Sequence, residues 1–369
     1  MLDIVYVYTH WKRKKGGIFT MAGFNSGKSK RPTFVSMDLG TANTLVYVSG
    51  SGVVYNEPSI VAYRIKENRI IAVGIEAYKM IGKGNKSIRI VRPMVDGVIT
   101  DIRATEAQLR YIFGKLRISK QLKHSIMLLA CPSVITELEK AALKKIAMNL
   151  GATKVFVEEE VKMAALGGGV DIYKPTGNLV VDMGGGTTDI AVIASGDIVL
   201  SKSVKVAGNY LNDEMQKFIR SQYGLEVGSK TAEQIKIEIG SLAKYPDERK
   251  MKVYGRDVVS GLPREIEVTP EEVREVLKVP VSRIIDLTVQ VLEETPPELA
   301  GDIFKNGITI YGGGALIKGI DRYFTDTLQL PSKVGEQPLL AVINGTKKFE
   351  SDIYDILRQE QMHTKELDY

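Results

Sequence analysis

The sequence predicts an α/β fold built twice, two lobes around a cleft, and three observations carry that prediction. Short β-rich runs alternate with amphipathic helices along most of the chain. A strand–turn–strand unit with Asp, an apolar residue and Gly at its bend occurs twice, at Met37–Thr44 and Val181–Asp189. The two copies stand 144 positions apart, nearly half the folded length, as expected of a duplicated domain with a cleft between its copies. The 369 residues, 44% hydrophobic and 25% charged, suffice for two domains with separate cores.

From the N-terminus, residues 1–33 read as a basic tail. Residues 1–37 hold seven bases against one acid, Asp3, which leaves 43 of the 50 basic and 43 of the 44 acidic residues in the body. The formal charge of +6 therefore belongs to the tail, and no nucleic-acid partner is expected. Met1–Tyr8 is apolar and precedes the bases, the reverse of a signal peptide. An aromatic-basic anchor on a membrane surface is one reading. The other is that translation starts at Met21, because Lys14-Lys15-Gly16-Gly17 is what an A-rich ribosome-binding site encodes when read in frame.

Next come the expected hairpin Phe34–Asp38 and Thr44–Val48, then strands Gly52–Tyr55, Ser59–Tyr63 and Arg69–Val73. Thr105–Leu116 predicts a helix with Leu109, Ile112 and Leu116 on one face. Strand Ile126–Cys131 ends at Pro132, and helix Ile135–Leu150 stops at Gly151. Cys131, the single cysteine, reads as a buried strand residue, and three scattered His residues offer no metal cluster. Thr269-Pro270-Glu271-Glu272 starts a helix with an N-cap, a first-turn proline and acids at the positive end of the dipole. Pro280 is expected to kink or divide it. No apolar run reaches the roughly 18 residues of a membrane span.

The two bends carry chemistry. Glycines remove the Cβ atoms that keep a phosphate from backbone N–H groups. Thr41, Asn43, Thr187 and Thr188 add hydroxyl or amide hydrogen bonds. Asp38 and Asp182 can hold a hydrated Mg²⁺ that bridges phosphate oxygens, since Mg²⁺ takes few carboxylates and keeps water. A single bend of this kind would equally be an ordinary turn; two matching ones favour nucleotide binding. A third cluster, Gly312-Gly313-Gly314-Ala315-Leu316, follows strand Ile308–Tyr311 and lets backbone approach an adenine or ribose. Neither a dinucleotide fingerprint nor a P-loop is present.

Both bends resemble the phosphate loops of the actin, sugar-kinase and chaperone ATPase superfamily. Asp38–Leu45, Asn56–Ser59, Val91–Ile99, Ile235–Gly240 and Thr295–Leu299 are similar to the MreB/Mbl family of bacterial actin-like cell-shape proteins, a resemblance running from about Val35 to about Lys348. It implies a duplicated actin-like ATPase fold of two lobes and four subdomains. Residues 34–171 would form the first lobe, with a smaller subdomain near 62–94. Residues 172–343 would form the second, with one near 211–274, and 344–369 would return to the first.

By the same resemblance, Gly40, Thr41, Ala42, Asn43, Gly184, Gly185 and Gly186 contact phosphates, and Gly208 lies near the nucleotide. Glu233 and Lys236, one helical turn apart, reach ribose and adenine, with Gly312–Leu316 closing the pocket. Glu160 positions the lytic water and Thr187 is its partner across the γ-phosphate. Read without the resemblance, Glu160 is a solvated member of Glu158-Glu159-Glu160. The implied cofactors are ATP and Mg²⁺. The implied partners are the chain itself, as a homopolymer of paired protofilaments, the inner membrane surface, and membrane proteins of a shape-determining apparatus. The implied location is the cytoplasm, in membrane-associated filaments with slow hydrolysis.

Three departures stand out. Val161-Lys162 replaces Pro-Met after Glu160, and a Lys there is expected to draw the acid from its water. Asn209 and Asn212 replace acids, which weakens nucleotide or metal affinity. Leu122-Lys123, among Lys115, Arg117 and Lys120, replaces a pair of bulky apolar residues that dip into the membrane, so lipid contact would be electrostatic; a solvated basic loop is an equal reading. A pseudo-ATPase scaffold and a small-molecule kinase remain alternatives. A chaperone does not, since only about 20 residues follow Lys348. Mass spectrometry of the native N-terminus is expected to find Met21 first, and a peptide spanning residues 13–20 would refute that start.

Overall fold

The computed structural model describes residues 32–83 and 86–367, so the tail and its expected start lie outside the described residues. Two five-stranded sheets repeat one plan. In the first, Phe34–Leu39 is central, pairing antiparallel with Asn43–Val48, which pairs antiparallel with Gly52–Pro58. On its other side run Ser125–Cys131 and then Ala152–Glu159, both parallel. In the second, Asn178–Met183 is central, with Thr188–Ala194 and Asp197–Val204 antiparallel on one side. Ile308–Tyr311 and Ser332–Val334 run parallel on the other. The expected duplication is thus a duplication of strand order.

Strand alternation makes each sheet two-faced. Val35, Met37 and Leu39 bury into a core under helices Ile102–Leu116 and Glu137–Leu150. Phe34 points the other way, into a core shared by both sheets with Leu128, Val180, Ala191 and Ile193. Helices Glu160–Gly167 and Ala341–Lys348 fill that shared core. Their backbones touch: a Cβ on Gly167 would lie 1.8 Å from the Ala341 carbonyl oxygen, and one on Gly345 would lie 1.8 Å from that of Met163. Ser36 and Thr346 hydroxyls, 2.7 Å apart, tie the same C-terminal helix to the central strand of the first sheet.

Each lobe carries a small three-stranded sheet. The first comprises Val61–Arg64, Arg69–Val73 and Ile88–Val91, with helix Ile75–Lys79 beside it. The second comprises Leu225–Glu226, Met251–Asp257 and Pro263–Val268, next to helices Gly208–Tyr223 and Ser229–Ile239.

Helix ends follow local chemistry. Thr136 and Thr269 both form reciprocal capping boxes, with Glu139 and Glu272 respectively. The helix expected from Thr105 starts earlier, at Ile102, because Asp101 accepts a hydrogen bond from the Ala104 N–H. Pro280 does not divide its helix, which runs unbroken over Pro270–Glu294. Val273 and Leu277 before it and Val281, Ile284, Ile285 and Val291 after it bury into one core. That burial, about 1.5–3 kcal/mol per large side chain, outweighs the roughly 3 kcal/mol a mid-helix proline costs.

Gly345→Ala is expected to destabilise the chain by roughly 3 kcal/mol through overpacking. Gly114→Ala, in a helix where a Cβ meets nothing within 4 Å, should stabilise it by about 0.8–1.0 kcal/mol. Urea denaturation of both variants checks the pair.

Candidate functional site

The two hairpin bends meet face to face, and only glycine permits the approach. A Cβ on Gly185 would lie 2.6 Å from that of Ala42, and one on Gly186 would lie 2.5 Å from the Thr41 Oγ1. Gly40 and Gly184 close their own bends: the Gly184 N–H donates to the Thr187 carbonyl at 2.9 Å, and the Gly40 carbonyl accepts from Ser59 at 2.6 Å. Asn43 opens the returning strand of the first bend.

A third hairpin wedges between them. Strands Met94–Val95 and Val98–Ile99 join through Asp96-Gly97, both at positive φ, as a tight two-residue turn demands. The Gly97 N–H donates to Thr41 Oγ1 at 3.1 Å, and a Cβ on Gly186 would lie 2.8 Å from the Asp96 Cα.

The third glycine cluster comes to the second bend. Gly312, at φ 79°, leaves room for the Met183 carbonyl and an Asp182 carboxylate oxygen; a Cβ there would lie 2.4 Å and 2.6 Å from them. Gly314 packs on the Met183 side chain, and Gly313 and Ala315 continue the single turn that ends in a half-exposed Leu316. On the opposite flank the Gly208 N–H donates to the Gly184 carbonyl at 3.1 Å. The Gly208 carbonyl accepts from Lys236 Nζ at 3.0 Å. Burial lowers the Lys236 pKa against the opposing pull of Glu233. Glu233 itself is engaged, its Oε2 accepting from the Tyr78 hydroxyl at 2.8 Å.

Four carboxyl groups gather behind the bends. Asp38 and Asp182 each lie next to last in their central strands. Glu160 begins its helix in the shared core, and Asp189 faces Asp182 across the hairpin. Desolvation pushes Asp38 up to about 7, against a lowering hydrogen bond from Gly40. It pushes Asp182 up to about 8, helped by the charges of Asp189 and Asp38. Glu160 is raised well above the carboxylate range by burial and then by Asp38, Asp182 and Asp189. It is only 8% exposed, and its Oε1 has no hydrogen-bond partner.

Such a group of acids is short of positive charge, and its hard oxygen ligands suit a divalent cation. Among the described residues no three acids, histidines or cysteines are placed to hold a metal by themselves.

Glu160 is not the solvated acid that its charged run suggests: the turn from strand Ala152–Glu159 into the helix folds it inward. Lys162 does not draw it away. Its Nζ lies 3.2 Å from Glu158 Oε2 and 3.7 Å from Asp197 Oδ1, and it sits over the Phe349 ring. Residues two apart on a helix face different ways, so Lys162 neutralises another acid. Asn212 is buried, with an unpartnered Oδ1. Leu122 is also buried, so no apolar pair is presented at that loop. Cys131 is buried and its thiol is pushed up by desolvation, as a core residue should be.

Sequence reading passed over three contributors. Asp189 is 2% exposed and accepts from the Ser133 N–H at 3.2 Å, with the Thr187 hydroxyl near enough to oppose the upward shift that burial gives its carboxyl. Ser133 also donates to Glu159, which bends this loop toward the acids. Tyr78 bridges to Glu233. The Asp-Gly dipeptide at 96–97 was a local turn signal; Ser133 and Tyr78 had none.

The family profile described as "MreB/Mbl protein" matches residues 32–358. "Cell shape-determining protein Mbl" of Bacillus subtilis (strain 168) is 46% identical over 314 residues, covering 85% of this chain and 94% of that protein. Crystal structures of MreB5 of Spiroplasma citri bound to AMPPNP and to ADP are 54% and 56% identical. They cover 90% and 88% of this chain and 100% and 98% of theirs, with TM-scores of 0.88 and 0.85. A MamK double helical filament, 22% identical over 86% of this chain and 98% of its own, shares the fold with a TM-score of 0.73. The expected actin-like architecture is therefore the observed one.

Without metal or nucleotide, the raised acids set a pH dependence. Asp38 and Asp182 keep protons in the folded state that the unfolded chain has lost above about pH 4. Stability should therefore fall as pH rises from 5.5 to 8. In chelator, Asp182→Asn should flatten that decline by about 1 kcal/mol per pH unit. Chemical denaturation across the range measures it, and an unchanged slope would refute the assignment.

Proposed function

The chain belongs to the MreB/Mbl family, and from that premise we propose that it is an actin-like cytoskeletal ATPase that polymerises into filaments organising cell shape. The observation that carries this is the face-to-face approach of the two glycine bends over a set of buried acids. That geometry exposes backbone N–H groups to phosphates from both sides and leaves the acids in want of a cation. The nucleotide-bound MreB5 structures support placing a nucleotide in the equivalent cleft.

The residues divide the work. Gly40, Thr41, Ala42 and Asn43 on one side, and Gly184, Gly185 and Gly186 on the other, would cradle the phosphates. Lys236, its Nζ held at the Gly208 carbonyl beside the second bend, would face the nucleotide's polar edge. Glu233 would take a ribose hydroxyl, with Gly312–Leu316 walling the base. A Mg²⁺ at Asp38 and Asp182 would offset phosphate charge. Glu160 would accept a hydrogen bond from the lytic water and orient it in line, its raised pKa returning toward ordinary values beside a cation. Thr187, oriented by Asp189, would hold that water from the other side.

Closure of the lobes over nucleotide would flatten the molecule for head-to-tail stacking, a heterologous contact that generates open filaments. The partners are further copies of the chain, the inner membrane surface and membrane proteins of the shape-determining apparatus. Among the described residues no helix is long and apolar enough to cross a membrane. With Leu122 buried, membrane contact at the Lys115–Lys123 loop would be electrostatic and salt-sensitive. The pairing of Lys162 with Glu158 favours turnover over a silent scaffold.

Sedimentation, electron microscopy and phosphate release, followed together in Mg·ATP, Mg·ADP and no nucleotide, test the proposal. ATP should favour filaments and release phosphate slowly, and Glu160→Ala should cut release by about 100-fold or more. Lys162→Met should leave release within about twofold, whereas a large rise would restore Lys162 as a suppressor. No polymer under any nucleotide, with rapid ATP use on adding a small acceptor, would replace this reading with a kinase.

A further inference from the structure

The mouth of the cleft is spanned by a contact that neither bend requires. Tyr78 lies on the five-residue helix Ile75–Lys79 of the first small subdomain. It reaches helix Ser229–Ile239 of the second at two points. Its hydroxyl donates to Glu233 Oε2 at 2.8 Å. Lys230 lies over its ring at 4.3 Å and donates to its carbonyl oxygen. Two ends of one residue are therefore gripped by two side chains one helical turn apart.

Both sides of the contact are anchored. The Ile75 N–H at the start of the Tyr78 helix donates to Glu57 Oε2 at 3.0 Å, and Glu57 belongs to strand Gly52–Pro58 of the first main sheet. On the other side Lys236, one turn beyond Glu233, is bonded to the Gly208 carbonyl, and Gly208 to Gly184 in the second bend. Hydrogen bonds joined by two stretches of helix backbone, Ile75–Tyr78 and Glu233–Lys236, thus link one sheet to the second bend of the other.

A carboxylate has two oxygens and about four acceptor sites. Tyr78 occupies Oε2 and leaves the other oxygen for a ribose hydroxyl, so strap and nucleotide can share Glu233. A carboxylate already held by a phenol gives up less rotational freedom on meeting its ligand, and the ligand in turn holds the strap closed.

We propose that Tyr78 is a positioning residue for nucleotide binding: it straps the two small subdomains across the cleft and fixes Glu233 for the ribose. This rests on the nucleotide reading above. Because Tyr78 acts through Glu233, its influence depends on the ribose hydroxyls. A merely structural role would weaken all nucleotides alike.

The full-length chain is titrated calorimetrically with Mg·ADP and with Mg·2′,3′-dideoxy-ADP. Tyr78→Phe keeps the ring beneath Lys230 and removes only the hydroxyl. It should weaken ADP roughly tenfold, the loss of one hydrogen bond to a charged group. It should weaken dideoxy-ADP less than about twofold, and add as little for ADP when introduced into Glu233→Gln. Equal weakening of both nucleotides, or a full tenfold effect persisting in Glu233→Gln, would overturn the proposal. A wild-type chain that binds ADP, beside a Tyr78→Phe variant that binds it equally well, sinks this inference alone. A wild-type chain that binds no ADP sinks the nucleotide reading with it.

Discussion

Everything at the centre of this molecule depends on two backbone turns approaching more closely than side chains allow. Gly185 against Ala42, and Gly186 against Thr41 and Asp96, set the separation of the lobes. The same approach carries the ends of both central strands inward, because each bend is the direct continuation of its strand. Asp38, Asp182 and Asp189 arrive together for that reason, and Glu160 joins them from the helix that packs between the sheets. The repulsion among these acids is thus a by-product of the geometry that opens backbone N–H groups to an anion. An anion and a cation bound together resolve both halves of the imbalance, where either alone would resolve one.

Much of this was legible in the sequence because it is local. A bend bounded by two strands repeats its residues wherever it repeats its shape, so the duplication was readable from Met37–Thr44 and Val181–Asp189. Capping at Thr269 and the stop at Gly151 involve residues within a turn of each other. The misread features are those that the rest of the fold decides. Pro280 stays inside a helix because side chains before and after it enter one core. Lys162 was paired with the wrong acid because adjacency in sequence suggested proximity that helical rotation denies. Asp189 and Ser133 meet across 56 positions and Tyr78 and Glu233 across 155, separations that leave no period or motif to read.

The burial of Glu160 joins these two themes. Its neighbours Glu158 and Glu159 alternate along a strand, which places successive side chains on opposite faces. The chain then turns into a helix at Glu160, and the alternation ends there. Val161, Met163, Ala164 and Ala165 bury completely, so the helix has no freedom to roll its first residue outward. The acid is held inward by that packing, with its Oε1 left without a hydrogen-bond partner.

The last two helices, Ala341–Lys348 and Glu350–Leu367, both reach back to the opening sheet. Ser36, in strand Phe34–Leu39, bonds to Thr346, and Tyr47 and Ser49 both donate to Glu350. The Tyr354 hydroxyl reaches back to the Pro32 carbonyl. The opening sheet has all five strands by Glu159 and the second by Val334, but the face between them is covered only when the helices from Ala341 onward have been synthesised. Until then Phe34 and Leu128 of one sheet, and Val180 and Ala191 of the other, lack the apolar cover that Ala341, Ile343 and Ile353 supply.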